Sequence, residues 1–350
     1  MKSRKNGDLI RKYFASGIQL LSRRKQHGGQ MSRPPESVVI LARECYGDCI
    51  LLTPLIAGLK QEYPDLSIYI VAFSRIIQNF FSYDPNVTAV FHAKRQLRRY
   101  VHGMLSRQYD LLFNPKDHPS THFLLQTALI RARYKVGHYH PQHVGLFDHL
   151  IRLDRQAHES VRNLSLLDVL NRNRNAATIR PYVPPMPVSE AMSAFLKTMP
   201  GKNLAGINLS AGHAGGHRSV EQWSALLARF PDQRFIVIAA PGEQEEKRRL
   251  ESMHPNVMAS PPTKNIYEVA SLVKELSLLI TPDTSLVHIA ACYDTPLIAL
   301  YRTFVADRTQ FGPITTLQEV IVSPTADIAD IDNEVTVRTL KQMLERIAQP

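Results

Sequence analysis

Beyond Pro34 and Pro35 the chain sets short, β-branched apolar runs against longer stretches with apolar residues at every third or fourth position. That alternation predicts parallel strands flanked by helices. The runs place strands at 37–42, 67–72, 87–91, 109–114 and 134–137, and a second series at 204–209, 234–239, 256–259, 276–281, 296–301 and 319–322. Between the two series lies RPYVPPMP, residues 180–187, whose four prolines continue neither a helix nor a central strand. The expected organisation is therefore an arm over 1–33, a first α/β domain over 34–180, a Pro-rich linker over 181–187 and a second α/β domain over 188–350, closed by a helix over 334–347. Two doubly wound, Rossmann-like domains in series bind ligands at the carboxyl ends of their strands, facing a shared cleft.

With 350 residues, 44% apolar and 21% charged, the chain has the material for two ordinary cores. These figures exclude a disordered, collagen-like or disulfide-stapled protein. No apolar run reaches the roughly 18–20 residues of a membrane-spanning helix, so a soluble or at most peripheral protein is expected. Three cysteines, an odd count, point to a reducing compartment, and Cys45 and Cys49 lack the second Cys or His pair that a zinc site needs.

The net charge of +11 is unevenly placed. Residues 1–33 hold nine Lys or Arg against Asp8 alone, a local +8, which leaves +3 for the remaining 317 residues. No nucleic-acid partner is expected from such a body. In the arm, Leu9, Ile10, Tyr13, Phe14, Ile18, Leu20 and Leu21 recur at helical spacing among Arg11, Lys12, Arg23, Arg24 and Lys25. Such a basic amphipathic helix fits an anionic membrane surface, and equally a disordered or core-capping arm.

Three strand-to-helix junctions carry candidate chemistry. In the first, Gly47 turns the chain after the strand and Asp48 opens a helix; its carboxylate reads either as a cap on free amides or as a general base. In the second, residues 208–218, NLSAGHAGGHR, the glycines let backbone amides approach a ligand, and Ser210, His217 and Arg218 are candidates to meet a phosphate; a plain flexible loop is the other reading. Neither a GxGxxG nor a GxxxxGK[ST] pattern is present, which argues against dinucleotide oxidoreductases and P-loop NTPases. In the third, TPDTSLVHIAACYDTPLIALY at 281–301, Asp283, Thr284 and Ser285 open a helix whose amides and hydroxyls suit a diphosphate, and His288 follows one turn on; the alternative is a capped structural helix with a buried His.

These motifs together resemble family 9 glycosyltransferases, the heptosyltransferases of the lipopolysaccharide core. Gly47-Asp48, the 208–218 loop and PDTSLVHIAA carry the resemblance, and the basic leader with the tail IVSPTADIADID at 321–332 is similar to the outer-core heptosyltransferase IV type. The resemblance implies GT-B architecture, an N-terminal domain that meets the lipopolysaccharide core acceptor and a C-terminal domain that holds ADP-heptose as donor. It implies inverting transfer without metal or resident cofactor, with Asp48 as base and Asp283, Thr284, Ser285 and His288 in the donor motif. It further assigns Glu245 to the donor ribose and a basic residue such as His217 or Arg218 to the diphosphate. Cytoplasmic work at the inner face of the inner membrane follows from the acceptor. The chain departs from the family where a Trp-Pro pair and a Gly are usual; it reads Ser219-Val220-Glu221-Gln222-Trp223 and Tyr301-Arg302-Thr303.

Lys94, Arg95, Arg98, Arg99, Arg131, Arg133 and Lys135 suit a phosphorylated acceptor, while His138, His140, His143 and His149 lack the acidic or thiol partners of a metal site. Two other functions fit the same residues: transfer of another nucleotide-activated sugar in envelope polysaccharide synthesis, and non-catalytic nucleotide binding in envelope assembly.

Overall fold

A computed structural model describes residues 17, 31, 33–154, 156–172, 179–199, 203–212, 215–303 and 308–349. The basic helix expected in the arm falls almost wholly outside these, as do His213 and Ala214. The chain divides into two compact units, Met1–Arg180 and Pro181–Pro350.

In the first unit β1 (Ser37–Leu41), β2 (Ser67–Ala72), β3 (Ala89–His92), β4 (Gln108–Asn114), β5 (Arg131–His138) and β6 (His149–Ile151) pair in the order β3-β2-β1-β4-β5-β6. The second unit repeats this with β7 (Leu204–Asn208), β8 (Arg234–Ile238), β9 (Val257–Met258), β10 (Leu278–Pro282), β11 (Leu297–Tyr301) and β12 (Gln318–Val322), in the order β12-β11-β10-β7-β8-β9. Every pairing is parallel. Central strands are apolar at consecutive positions because helices cover both faces; Val38 to Leu41 and Leu278 to Ile280 are fully buried. Both sheets reverse direction of growth once, between β1 and β4 and between β7 and β10. At such a switch point the loops beyond the two strands splay apart and leave a crevice at their carboxyl ends.

Local chemistry moves several boundaries. β3 begins at Ala89 rather than 87, because the Val87 amide is held in a turn by the Asp84 carbonyl. β10 begins at Leu278 rather than 276, since the Leu276 amide closes a turn on the Val273 carbonyl. β6 was not expected, being only three residues, HLI.

The helix after β1, Tyr46–Glu62, keeps a proline at its centre. Pro54 has no amide for the Ile50 carbonyl, and the Thr53 hydroxyl donates to that carbonyl instead at 2.7 Å. The Leu51 carbonyl accepts from Asn163 Nδ2 at 3.0 Å, which ties this helix to the one spanning Glu159–Val169. In the second unit the fully buried Trp223 packs with Leu226, Phe235, Val237, Leu340 and Met343 under the closing helix Asn333–Ala348.

Candidate functional site

The switch point of the second unit is organised by a side-chain amide. Asn208, the last residue of β7, is fully buried; its Oδ1 accepts from the Ser210 amide at 3.1 Å, and its Nδ2 donates to the Ser210 carbonyl at 3.1 Å, Thr281 Oγ1 at 2.9 Å and Thr284 Oγ1 at 3.3 Å. One residue thereby joins the loop after β7 to the turn after β10. Pro282 ends β10, and Thr284, in extended conformation, caps the helix Ser285–Tyr293: its Oγ1 accepts from the Leu286 amide at 3.3 Å and its carbonyl from the Val287 amide at 3.1 Å. Asp283, Thr284 and Ser285 are half-buried at this helix start, and His288 lies buried one turn along. The amide end of a helix carries partial positive charge, so the arrangement suits an anion such as a diphosphate.

The flanking loop is also fixed. Ser210 Oγ donates to Glu243 Oε2 at 2.5 Å, and the Ala240 amide donates to Ser210 Oγ at 2.7 Å and to Glu243 Oε2 at 3.0 Å. The acid that meets Ser210 is thus Glu243 and not Glu245. Glu245 has 83% of its side chain in solvent and pairs with Arg248 at 2.6 Å, one helical turn away. Arg218 is tied to the closing helix. It is 5% exposed, with Nη1 donating to Thr336 Oγ1 at 2.9 Å, Nη2 to Asn333 Oδ1 at 2.7 Å, and its guanidinium 5.4 Å from the Trp223 ring. This cation anchors the closing helix, and burial lowers its affinity for its proton. His217 beside it is exposed. Gly215 has φ +77, and an added Cβ would lie 2.7 Å from the Ala326 carbonyl, so the loop requires glycine there.

At the switch point of the first unit Asp48 opens its helix with the two carboxylate oxygens on different partners. Oδ2 accepts from the Cys45 amide at 3.4 Å, a long capping bond, while Oδ1 lies 3.3 Å from Arg43 Nε, with 15% of the side chain exposed. Arg43 then reaches Glu159 Oε1 at 2.6 Å, and Arg162 pairs with Asp117 Oδ2 at 2.8 Å. Asp117 follows β4, and its Oδ1 meets His118 Nδ1 at 2.9 Å. That hydrogen bond, aided by Arg162 and Arg43 against burial, holds the Asp117 carboxyl well below the usual range. Burial pushes the Glu159 carboxyl above its ordinary value, against the pull of the Arg43 guanidinium paired with it at 2.6 Å. Burial also lowers Lys116, whose ammonium sits 4.7 Å from the Phe123 ring.

Arg43, Asp117, Glu159, Arg162, Asn208 and Glu243 were not singled out from the sequence. For Glu159 and Arg162 a signal exists, two opposite charges three apart at the start of an apolar helix. Among the described residues no group of three or more His, Cys, Asp or Glu is placed to hold a metal ion, and no helix is long and apolar enough to cross a membrane.

Comparison with known proteins completes the description. The profile of glycosyltransferase family 9 (heptosyltransferase) matches residues 97–339. A lipopolysaccharide heptosyltransferase 3 of Escherichia coli is 24% identical over 277 residues, covering 73% of this chain and 80% of its own. Among solved structures, E. coli heptosyltransferase WaaC with ADP superposes with a TM-score of 0.67 at 18% identity, covering 90% of this chain and 100% of its own. A family 9 glycosyl transferase from Veillonella parvula DSM 2008 gives 0.69 at 16% identity, covering 91% and 99%. These two structures share the fold of both units.

Proposed function

The chain belongs to glycosyltransferase family 9, and from that premise we propose that it moves a heptose from ADP-heptose to the lipopolysaccharide core oligosaccharide with inversion at the anomeric carbon. The observation that carries this reading is the Asn208-braced helix start at Thr284 and Ser285, which presents amide dipoles and hydroxyls where a diphosphate would gain charge as it leaves. The second unit holds the donor, and the first holds the acceptor.

Asp48 takes the proton of the acceptor hydroxyl; the oxygen forms a bond to the anomeric carbon as the bond from that carbon to the diphosphate breaks, and ADP departs with the electron pair. Base assistance of this kind is worth about 10²- to 10⁴-fold. With Arg218 bonded to Asn333 and Thr336, the helix start, His217 and His288 oppose the leaving charge, and no metal or resident cofactor is invoked. The enzyme works at the cytoplasmic face of the inner membrane, held in part by the basic arm. Co-sedimentation with anionic vesicles at low and high salt, with and without residues 1–33, tests the arm; equal binding by both forms rejects it.

The test of the reaction is a panel of nucleotide-sugars offered to the purified protein with isolated core acceptor, products being read by mass spectrometry. ADP-heptose should be consumed and a heptose added to the acceptor. A second reading, transfer of another activated sugar, would show as turnover of a different panel member, since the fold and a diphosphate site do not read the sugar ring.

A further inference from the structure

The helix Glu159–Val169 brings two charged side chains into the first unit at its opening turn, Glu159 at 2% and Arg162 at 4% exposure. An unpaired ion so placed costs several kcal/mol, so each must be matched by charge. Glu159 divides its carboxylate: Oε1 meets Arg43 Nη1 at 2.6 Å, and Oε2 lies 3.7 Å from Arg162 Nε. With Arg162 on Asp117 and Arg43 on Asp48, charge alternates along the series Asp48, Arg43, Glu159, Arg162 and Asp117.

We propose that Glu159 is a positioning residue for the transfer reaction: by gripping the Arg43 guanidinium from its buried side it fixes the Asp48 carboxylate in one orientation. This rests on the reading of Asp48 as the base. Among the described residues, Asp48 is restrained by Arg43 Nε at 3.3 Å and by the Cys45 amide at 3.4 Å, and of the two Arg43 adds the attraction of a full charge. Arg43, with 18% of its side chain exposed, borders solvent on one side and takes an anchor for Nη1 on the buried side. The 2.6 Å charge-assisted bond to an almost fully buried carboxylate supplies that anchor. With Oδ1 held by Arg43, the second oxygen keeps a defined direction. A base displaced by about 1 Å can lose roughly 10²-fold in rate, so the effect reaches the chemistry although Glu159 touches no reacting atom.

Two variants and a cycle test this on the full-length protein with ADP-heptose and core acceptor. Glu159→Gln keeps volume and acceptor atom but loses the charge; kcat should fall about tenfold. Glu159→Ala should lower it about 10²-fold, the donor KM staying within about twofold for both. Added to Asp48→Asn, Glu159→Ala should cost nothing further, because its effect passes through the missing base. Losses that multiply, or a Glu159→Gln enzyme with wild-type kcat, overturn the proposal. If the unmodified protein transfers no heptose, the reaction reading fails instead, and a crystal structure of Glu159→Ala, or of Arg43→Lys should that variant not fold, decides the positional claim. Separation of the Arg43 guanidinium from the Asp48 carboxylate by more than about 4 Å, or in Arg43→Lys an Asp48 side chain in a new rotamer, upholds it, and unchanged geometry refutes it.

Discussion

Asn208 and Thr284 stand on opposite sides of the point where the second sheet reverses its growth, and the amide of one donates to the hydroxyl of the other at 3.3 Å. The loop after β7 and the turn after β10 are therefore braced against each other by hydrogen bonds within the protein. A preformed site loses less ordering entropy on binding.

Thr284→Val removes the hydroxyl that caps the helix and meets Asn208. Stability of the second unit should drop by about 1 kcal/mol, and ADP affinity, read by titration calorimetry, should fall roughly tenfold, or about 1.4 kcal/mol. Unchanged affinity would mean that the helix start is a structural cap alone.

Glu243 and Glu245 separate cleanly. Glu243→Ala strips Ser210 and the Ala240 amide of their shared acceptor and should weaken ADP binding roughly tenfold. Glu245→Ala, at an exposed ion pair, should leave binding and stability within experimental error. The reverse ranking would restore Glu245 to the donor site.

Arg218→Ala should act on folding and not on the nucleotide. Loss of its bonds to Asn333 and Thr336 and of its packing on Trp223 should cost about 2–4 kcal/mol in denaturant unfolding, with ADP affinity kept within about twofold. A large loss of affinity at unchanged stability would return the guanidinium to the diphosphate.

Two histidines make the first unit acid-sensitive. Burial pushes His138 down to about 3, and pushes His143 down to about 4 against the hydrogen bond between its Nδ1 and the His138 carbonyl. Unfolded histidine takes up its proton near pH 6.5. The unfolded chain thus binds more protons below that value, so stability is complete above about pH 6.5 and declines as pH falls toward 4, by at most about 1.4 kcal/mol per unit for each histidine. Melting of this unit from about pH 7.5 to 4.5 should show the decline, and His138→Leu should make it shallower. A melting temperature independent of pH in that window would contradict the assignment.

The strands could be read from the sequence because a parallel sheet covered on both faces imposes a local pattern, and VVIL or LLIT advertises it without knowledge of neighbours. β6 could not, since three residues carry no periodicity and the strand exists through its pairing with Val136, Gly137 and His138. The helix start after β10 was likewise legible, because Pro282, Thr284 and the following apolar turn lie within one short segment. The partners of Arg218 and Glu245 were not legible because a charge in a loop does not disclose its partner: Arg218 finds Asn333 115 positions along the chain. The ion-pair series behind Asp48 was invisible for the same reason, its members running from Arg43 to Arg162 and meeting only because strand order sets β4 beside β1.

The central claim is most directly tested by mass spectrometry of lipopolysaccharide core from cells with the gene, cells lacking it, and deleted cells carrying either the wild-type or the Asp48→Asn form. The core should be short by one heptose in the deletion, restored by the wild type and still short with Asp48→Asn. Cores of identical mass with and without the gene, or a deletion that removes a different sugar, would contradict transfer of a heptose by this protein.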